Sequence, residues 1–142
     1  MAACKHAVRS YCRSTPIDKK GHSDADTAIQ DLPKNGSSYL FPGSEHGNAP
    51  VSFFLSYTLP GHGPGLHMHP YAETFIVQKG QVTFYLEYQA IEVEGGTILV
   101  VPPNTPHRFI NSGDEPLQQI SIHPVSEMIT HWLEEPNQPT NA

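Results

Sequence analysis

An all-β fold, an antiparallel sandwich or barrel of the jelly-roll type with one short helix at its C-terminal edge, is what the sequence predicts. Three observations carry that prediction. Prolines number 14 in 142 residues, about twice the ordinary share, and they recur from Pro42 to Pro124 at intervals that suit strands and no long helix. From about Gly36, β-type runs alternate apolar and polar residues and are separated by turn residues roughly every ten positions. A chain of this length buries about two thirds of its unfolded surface, so a single domain suffices without a disulfide scaffold.

Residues 1–35 read as a flexible N-terminal extension. Lys5, Arg9 and Arg13 precede the first acid, Asp18, which loosely fits a mitochondrial transit peptide, but apolar residues are too few for an amphipathic helix. The only cysteines, Cys4 and Cys12, fall in this stretch and read as free thiols. The barrel is assigned to residues 36–135. Tyr39 to Phe41 forms a short run stopped by Pro42-Gly43, and Val51 to Leu59 a longer, aromatic-rich one stopped by Pro60-Gly61. A Gly/His/Pro-rich loop follows. Glu73 to Val77 then leads to a turn at Lys79-Gly80, and Val82, Phe84 and Leu86 alternate with Thr83, Tyr85 and Glu87. After a reversal near Tyr88 to Ala90, Ile91 and Val93 keep the period of two. Gly95-Gly96 turns the chain into Thr97 to Val101, the loop Pro102 to Pro106 feeds His107 to Asn111, and Leu117 to Ile122 alternates again. Beyond Pro124, Ser126 is a candidate N-cap, and Met128, Ile129, Trp132 and Leu133 recur at helical spacing to predict the closing helix, with Trp132 as a packing residue. Residues 136–142 read as a disordered tail.

Charge narrows the function. The net charge is −6, and from residue 21 onward Lys34, Lys79 and Arg108 are the only cations among all the acids but Asp18. No basic stripe is available to neutralise phosphates, so nucleic acid is not an expected partner. No apolar run approaches a membrane span or a secretory signal core. A cytoplasmic protein with a small-molecule partner is expected.

Three of the nine histidines surround one candidate site. His67 and His69 are two apart, so in an extended strand their side chains leave the same face, and Glu73 stands a further four residues on. His107 arrives from a distant strand. Three imidazoles and one carboxylate form a mononuclear metal set suited to one divalent ion, Fe, Mn, Ni, Cu or Zn, with positions left for water, oxygen or substrate. His62 in Gly61-His62-Gly63 lines either the mouth of a barrel or an exposed loop. His123 reads as a satisfied core or rim histidine. Tyr57, Tyr71, Phe75 and Phe109, with Phe53 and Tyr85, are either barrel core or pocket lining, and alternation leaves that open. His62, Tyr57, Tyr71, Phe75 and Phe109 are taken as the candidate substrate pocket.

Gly61, His67, His69, Glu73 and Gly80 resemble the first cupin motif, G-x5-H-x-H-x3-E-x6-G, at every fixed position. Gly96, Pro102, Asn104, His107 and Asn111 resemble the second, G-x5-P-x-G-x2-H-x3-N, with Asn104 in place of a glycine. Asparagine is the non-glycine residue best able to adopt a left-handed turn, so the departure leaves the ligand set intact. The resemblance covers residues 37–125 and implies a double-stranded β-helix, a metal held by His67, His69, Glu73 and His107, and a homodimer formed through an outer sheet. It permits several reactions. The expected one is a dioxygenase or related oxidoreductase acting on a small enolic, aromatic or polyketide-like molecule. The alternatives are a redox-neutral cyclase, isomerase or lyase with Glu73 or a pocket tyrosine or histidine as proton carrier, and a non-catalytic ligand-binding module. No helix-turn-helix segment is visible, which weakens a regulator reading.

Overall fold

A computed structural model describes residues 26–134. The predicted extension, with Cys4 and Cys12, and the predicted tail lie for the most part outside the described residues. The chain divides into two units, Met1–Asp31 and Leu32–Ala142. In the first, the described residues form a 3-10 turn, Ile29–Asp31, closed by the Asp31 N–H donating to the Ala28 carbonyl.

The described residues of the second unit are strands and turns, with one 3-10 turn at Gly43–Glu45. In chain order the strands are β1 (Lys34–Asn35), β2 (Ser38–Phe41), β3 (Ser52–Thr58), β4 (His67–Met68), β5 (Glu73–Lys79) and β6 (Gln81–Leu86), followed by β7 (Gln89–Glu94), β8 (Thr97–Val101), β9 (His107–Asn111), β10 (Leu117–His123) and β11 (His131–Trp132). They build two antiparallel sheets. One has the order β1-β2-β3-β10-β5-β8, the other β11-β4-β9-β6-β7. This is the jelly-roll arrangement, in which strands adjacent in space come from distant parts of the chain.

Period-two burial explains why the sheets pack. β10 buries Leu117, Gln119, Ser121 and His123 and leaves the residues between them partly exposed, so one face of the strand looks into the barrel. Phe75 and Val77 from one sheet meet Val82, Phe84 and Phe109 from the other, with Val101 and Leu117, to form the apolar core. Phe75 and Phe84 pack edge-on at 4.8 Å between ring centroids, an arrangement favoured by the ring quadrupoles.

Two backbone features aim loops at one end of the barrel. Asn104, the residue standing where the motif has glycine, has φ 56°, in the left-handed region. Its N–H donates to the His69 carbonyl at 2.7 Å. Gly63 lies so close to β9 that a Cβ there would fall 1.8 Å from the Phe109 carbonyl oxygen, which excludes any side chain.

The predicted C-terminal helix is not formed. Residues 124–130 run as an irregular strap that ends in β11, which pairs with β4 through His131 with Met68 and Trp132 with His67. The strap's backbone groups are used by the barrel. The Ser52 hydroxyl reaches the carbonyls of Val125 (2.9 Å) and Ser126 (3.1 Å), the Ser44 N–H donates to Ser126, and the N–H groups of Leu133 and Glu134 both donate to Leu66. A helix of about eight residues is marginal by itself in water, so these partners outweigh the helical spacing of Met128, Ile129, Trp132 and Leu133. Trp132 accordingly packs from a strand, 44% exposed.

Candidate metal centre

The site is assembled from strand ends. Glu73 opens β5, His107 opens β9, and His67 opens β4 with His69 just past its end. His67 and His107 are cross-strand partners. All four side chains are buried, at 7% exposure or less, and one ligand atom from each lies within 4.8 Å of the others.

What each imidazole presents inward follows from its outer contact. Nδ1 of His67, His69 and His107 donates to the carbonyls of Gly65, Ile129 and Thr105, each at 2.8 Å. A carbonyl only accepts, so Nδ1 carries the proton and Nε2 turns a lone pair inward. Glu73 Oε2 lies 2.8 Å from Nε2 of His107 and 3.0 Å from Nε2 of His69. The second contact is close but misdirected, and His69 Nε2 has no hydrogen bond. Converging lone pairs around a carboxylate oxygen call for a positive charge between them, a proton or a metal cation. A divalent transition metal fits this donor set, three neutral imidazole nitrogens and one carboxylate oxygen, with every outer nitrogen already anchored.

The proton affinities express the same geometry. Burial pushes His67 down to about 4, against a smaller upward effect of the Gly65 carbonyl, so it is a neutral donor throughout the physiological range. Burial also works against a charged His69, but the neighbouring Glu73 carboxylate outweighs it and raises the pKa. Without a metal, a proton on the imidazoles supplies the positive charge: burial opposes ionisation of Glu73, and the contacts with His107, His123 and His69 overcome it, holding the carboxyl well below its ordinary value.

The remaining predicted residues divide. Tyr71 stacks on His69 at 5.3 Å, nearly parallel. Phe75 and Phe109 are buried in the core, with Phe75 6.2 Å from the His107 ring. His62 is exposed in the loop before β4. Tyr57 is 43% exposed, between buried Ser56 and Thr58, which puts it on the outer face of its sheet. The structure adds two residues to the site. Trp132 lies over His67 at 4.9 Å, and His123, 2% exposed, brings Nε2 to 3.1 Å from Glu73 Oε1. Parity along β10 was the available signal for His123, since even steps from Leu117 keep it on the inner face.

The Cupin domain family model matches residues 54–123, a span that contains all four candidate ligands. The chain belongs to the cupin superfamily. Among curated relatives, this cupin is 40% identical over 58 residues to the glucose-6-phosphate isomerase of Pyrococcus horikoshii, covering 37% of this chain and 31% of that protein. The likeness to the glucose-6-phosphate isomerase of Thermococcus litoralis is also 40% over 58 residues, with 37% and 30% covered. The match thus spans about a third of the length of these relatives. Among solved structures, the oxalate decarboxylase of Bacillus subtilis, which has Mn(II) centres, superposes with a TM-score of 0.66 at 21% identity, over 74% of this cupin and 30% of that chain. A conserved protein with a double-stranded β-helix domain from Klebsiella pneumoniae gives 0.61 at 19% identity, over 78% and 97%. These likenesses carry the fold.

Proposed function

We propose that this cupin is a metal-dependent, redox-neutral enzyme, an isomerase or lyase acting on a small oxygen-rich substrate. The observation that carries the reading is the donor set, three lone-pair imidazoles and one ionised carboxylate at a buried strand end. A divalent ion held there by His67, His69, Glu73 and His107 would supply Lewis acidity toward a carbonyl or carboxylate. The named relatives, isomerases in the curated set and a decarboxylase among the structures, favour this class over the dioxygenase that the motifs alone suggested. Fold does not choose between them.

The chain's own contribution is positioning and proton handling. Phe75, 6.2 Å from the His107 ring and backed by Phe109, gives the inner side of the ligands an apolar wall. Glu73, whose carboxyl lies well below its ordinary value, serves better as a ligand than as a proton carrier. Burial raises the pKa of Tyr71, so its phenol stays protonated at neutral pH and is the better candidate to hold a proton at Oη.

The deciding experiment loads the protein separately with Fe, Mn, Ni, Cu and Zn and assays it without oxygen on sugar phosphates and small carboxylic acids. Anaerobic turnover by the zinc or manganese form supports the proposal. Oxygen consumption on enolic or thiol substrates, with no anaerobic turnover, would return the assignment to a dioxygenase. Tight binding without turnover by any form would make it a ligand-binding module.

A homodimer through the outer face of the six-stranded sheet is part of the same proposal. Ile98 and Val100 on edge strand β8 are 68% and 56% exposed, beside Ile76 and Thr74 of β5. Such a surface invites a partner, and a monomer in sedimentation at micromolar concentration would refute it. Among the described residues no helix is long and apolar enough to cross a membrane; the cytoplasm is the compartment proposed.

A further inference from the structure

Four histidines, not three, are buried against Glu73, and the fourth differs in what its outer nitrogen meets. Nδ1 of His67, His69 and His107 each faces a peptide carbonyl. Nδ1 of His123 instead lies 3.1 Å from Oη of Tyr71, a group that can donate as well as accept. Tyr71 Oη already accepts the Ile129 N–H at 3.2 Å. Its own proton then has two destinations, His123 Nδ1 at 3.1 Å and the Ile129 carbonyl at 3.3 Å.

The carboxylate selects between them. His123 Nε2 stands 3.1 Å from Glu73 Oε1, in an angled contact rather than a straight one. A bare nitrogen there would set one lone pair against another, whereas Nε2–H places a donor against a carboxylate. That tautomer requires Nδ1 to accept, which the Tyr71 hydroxyl allows and a carbonyl would forbid. A directed arrangement results: Ile129 N–H to Tyr71 Oη, Tyr71 O–H to His123 Nδ1, and His123 Nε2–H set against Glu73 Oε1 at 3.1 Å in an electrostatic contact rather than a hydrogen bond.

We infer that His123, backed by Tyr71, is a positioning residue that occupies Oε1 of Glu73, so that Oε2 alone faces the three bare imidazoles and Glu73 is a one-oxygen metal ligand. The two oxygens are already divided this way. Oε2 contacts His69 and His107, and Oε1 contacts His123. The strap joins the arrangement, because the Ile129 carbonyl that orients His69 belongs to the same residue whose N–H holds Tyr71. The strap therefore sets a ligand on one side of Glu73 and the clamp on the other.

The test titrates Mn(II) into the wild-type protein and into His123→Phe, His123→Gln and Tyr71→Phe. Affinity and the Mn(II) paramagnetic resonance spectrum are both read. His123→Phe keeps the bulk but loses the donor. Its affinity should fall by about 10- to 100-fold, the usual range for removing an outer partner of a ligand. Its spectrum should change, because a freed Oε1 can join the coordination. His123→Gln restores an N–H donor and should recover most of the affinity and the wild-type spectrum. Tyr71→Phe should move both readouts in the same direction by a smaller factor.

The Cu(II) form should show three coordinated imidazoles by spin-echo spectroscopy in both the wild type and His123→Phe. A fall from four to three would make His123 a ligand and overturn the inference. So would a His123→Phe protein that binds Mn(II) within about twofold of wild type with an unchanged spectrum. Should that variant not fold, an unchanged affinity and spectrum in Tyr71→Phe together with a His123→Gln whose Mn(II) affinity falls more than about tenfold below the wild type overturns it equally. A wild type that binds no metal removes the inference along with the metal centre itself.

Discussion

The two ends of the barrel interior are built from the same strands and have opposite chemistry. On β5 the inward residues run Glu73, Phe75, Val77, and on β9 they run His107, Phe109, Asn111. One step of the alternation separates a metal ligand from an aromatic core residue. At the ligand end every buried polar atom depends on another residue's atom or on a bound cation, whereas deeper in, Phe75, Phe84, Phe109, Val82 and Leu117 depend on contact area alone, and the inward Asn111 beyond them is satisfied by the Thr58 and Glu115 carbonyls. Stability and function are thus segregated along the strands, so substitutions at the two ends should fail in different ways.

The largest separation comes from Phe84→Ala. Phe84 is fully buried, and the truncation should cost about 3–5 kcal/mol through lost burial and a cavity. The metal bound per folded molecule should not change. Urea denaturation with metal analysis of the folded fraction checks this, and a loss of metal from folded protein would break the segregation.

His107→Ala probes the other end. The variant should retain only a small fraction of the wild-type metal and lose the stabilisation that a bound ion confers. That stabilisation is about 4 kcal/mol where free metal stands at 1,000 times its Kd. Chelation should therefore lower the melting temperature of the wild type and leave that of His107→Ala where it was. Equal responses would mean that His107 is not a ligand.

A smaller effect concerns the metal-free protein and pH. The folded pKa of His67, about 4, lies below its ordinary value of 6.5. Between these pH values the unfolded chain binds a proton that the folded one refuses. Stability is then full above 6.5 and declines as pH falls toward 4, by about 1.4 kcal/mol per pH unit for one proton. His69, raised above 6.5, acts in a separate window, contributing fully below 6.5 and losing that contribution as pH rises through its folded pKa. Glu73, lowered, adds its own loss below 4.5. Denaturation of metal-free protein should show a decline beginning near pH 6.5, and a flat profile from 6.5 to 4 would contradict the burial of His67.

Much of this is legible in the sequence. Each predicted run from Tyr39 to Ile122 became a strand, since alternation is a local property that one buried face enforces at every position. The four ligands were legible through spacing. His67 and His69 share a face by parity, and the turn glycines with Asn104 mark where the chain reverses. The C-terminal helix that the sequence predicts does not form, because Met128, Ile129, Trp132 and Leu133 satisfy a helical period while the groups that claim the backbone there, Ser52, Tyr71 and Leu66, are far away in sequence. The direction in which Tyr57 faces stays open in the sequence for a related reason. Its alternation is regular, but which face of β3 turns inward is decided by the sheet opposite.

The sequence by itself determined the strands, the turns and the identity of the ligands, because these rest on periodicity and on residue chemistry at fixed spacing. Only the tertiary structure decided that residues 124–130 form a strap, that His123 stands against Glu73, and which group the outer nitrogen of each buried histidine meets. Those properties depend on partners such as the Ile129 carbonyl and the Tyr71 hydroxyl, which folding brings within hydrogen-bonding distance from some sixty residues away, and no local pattern records such a partner.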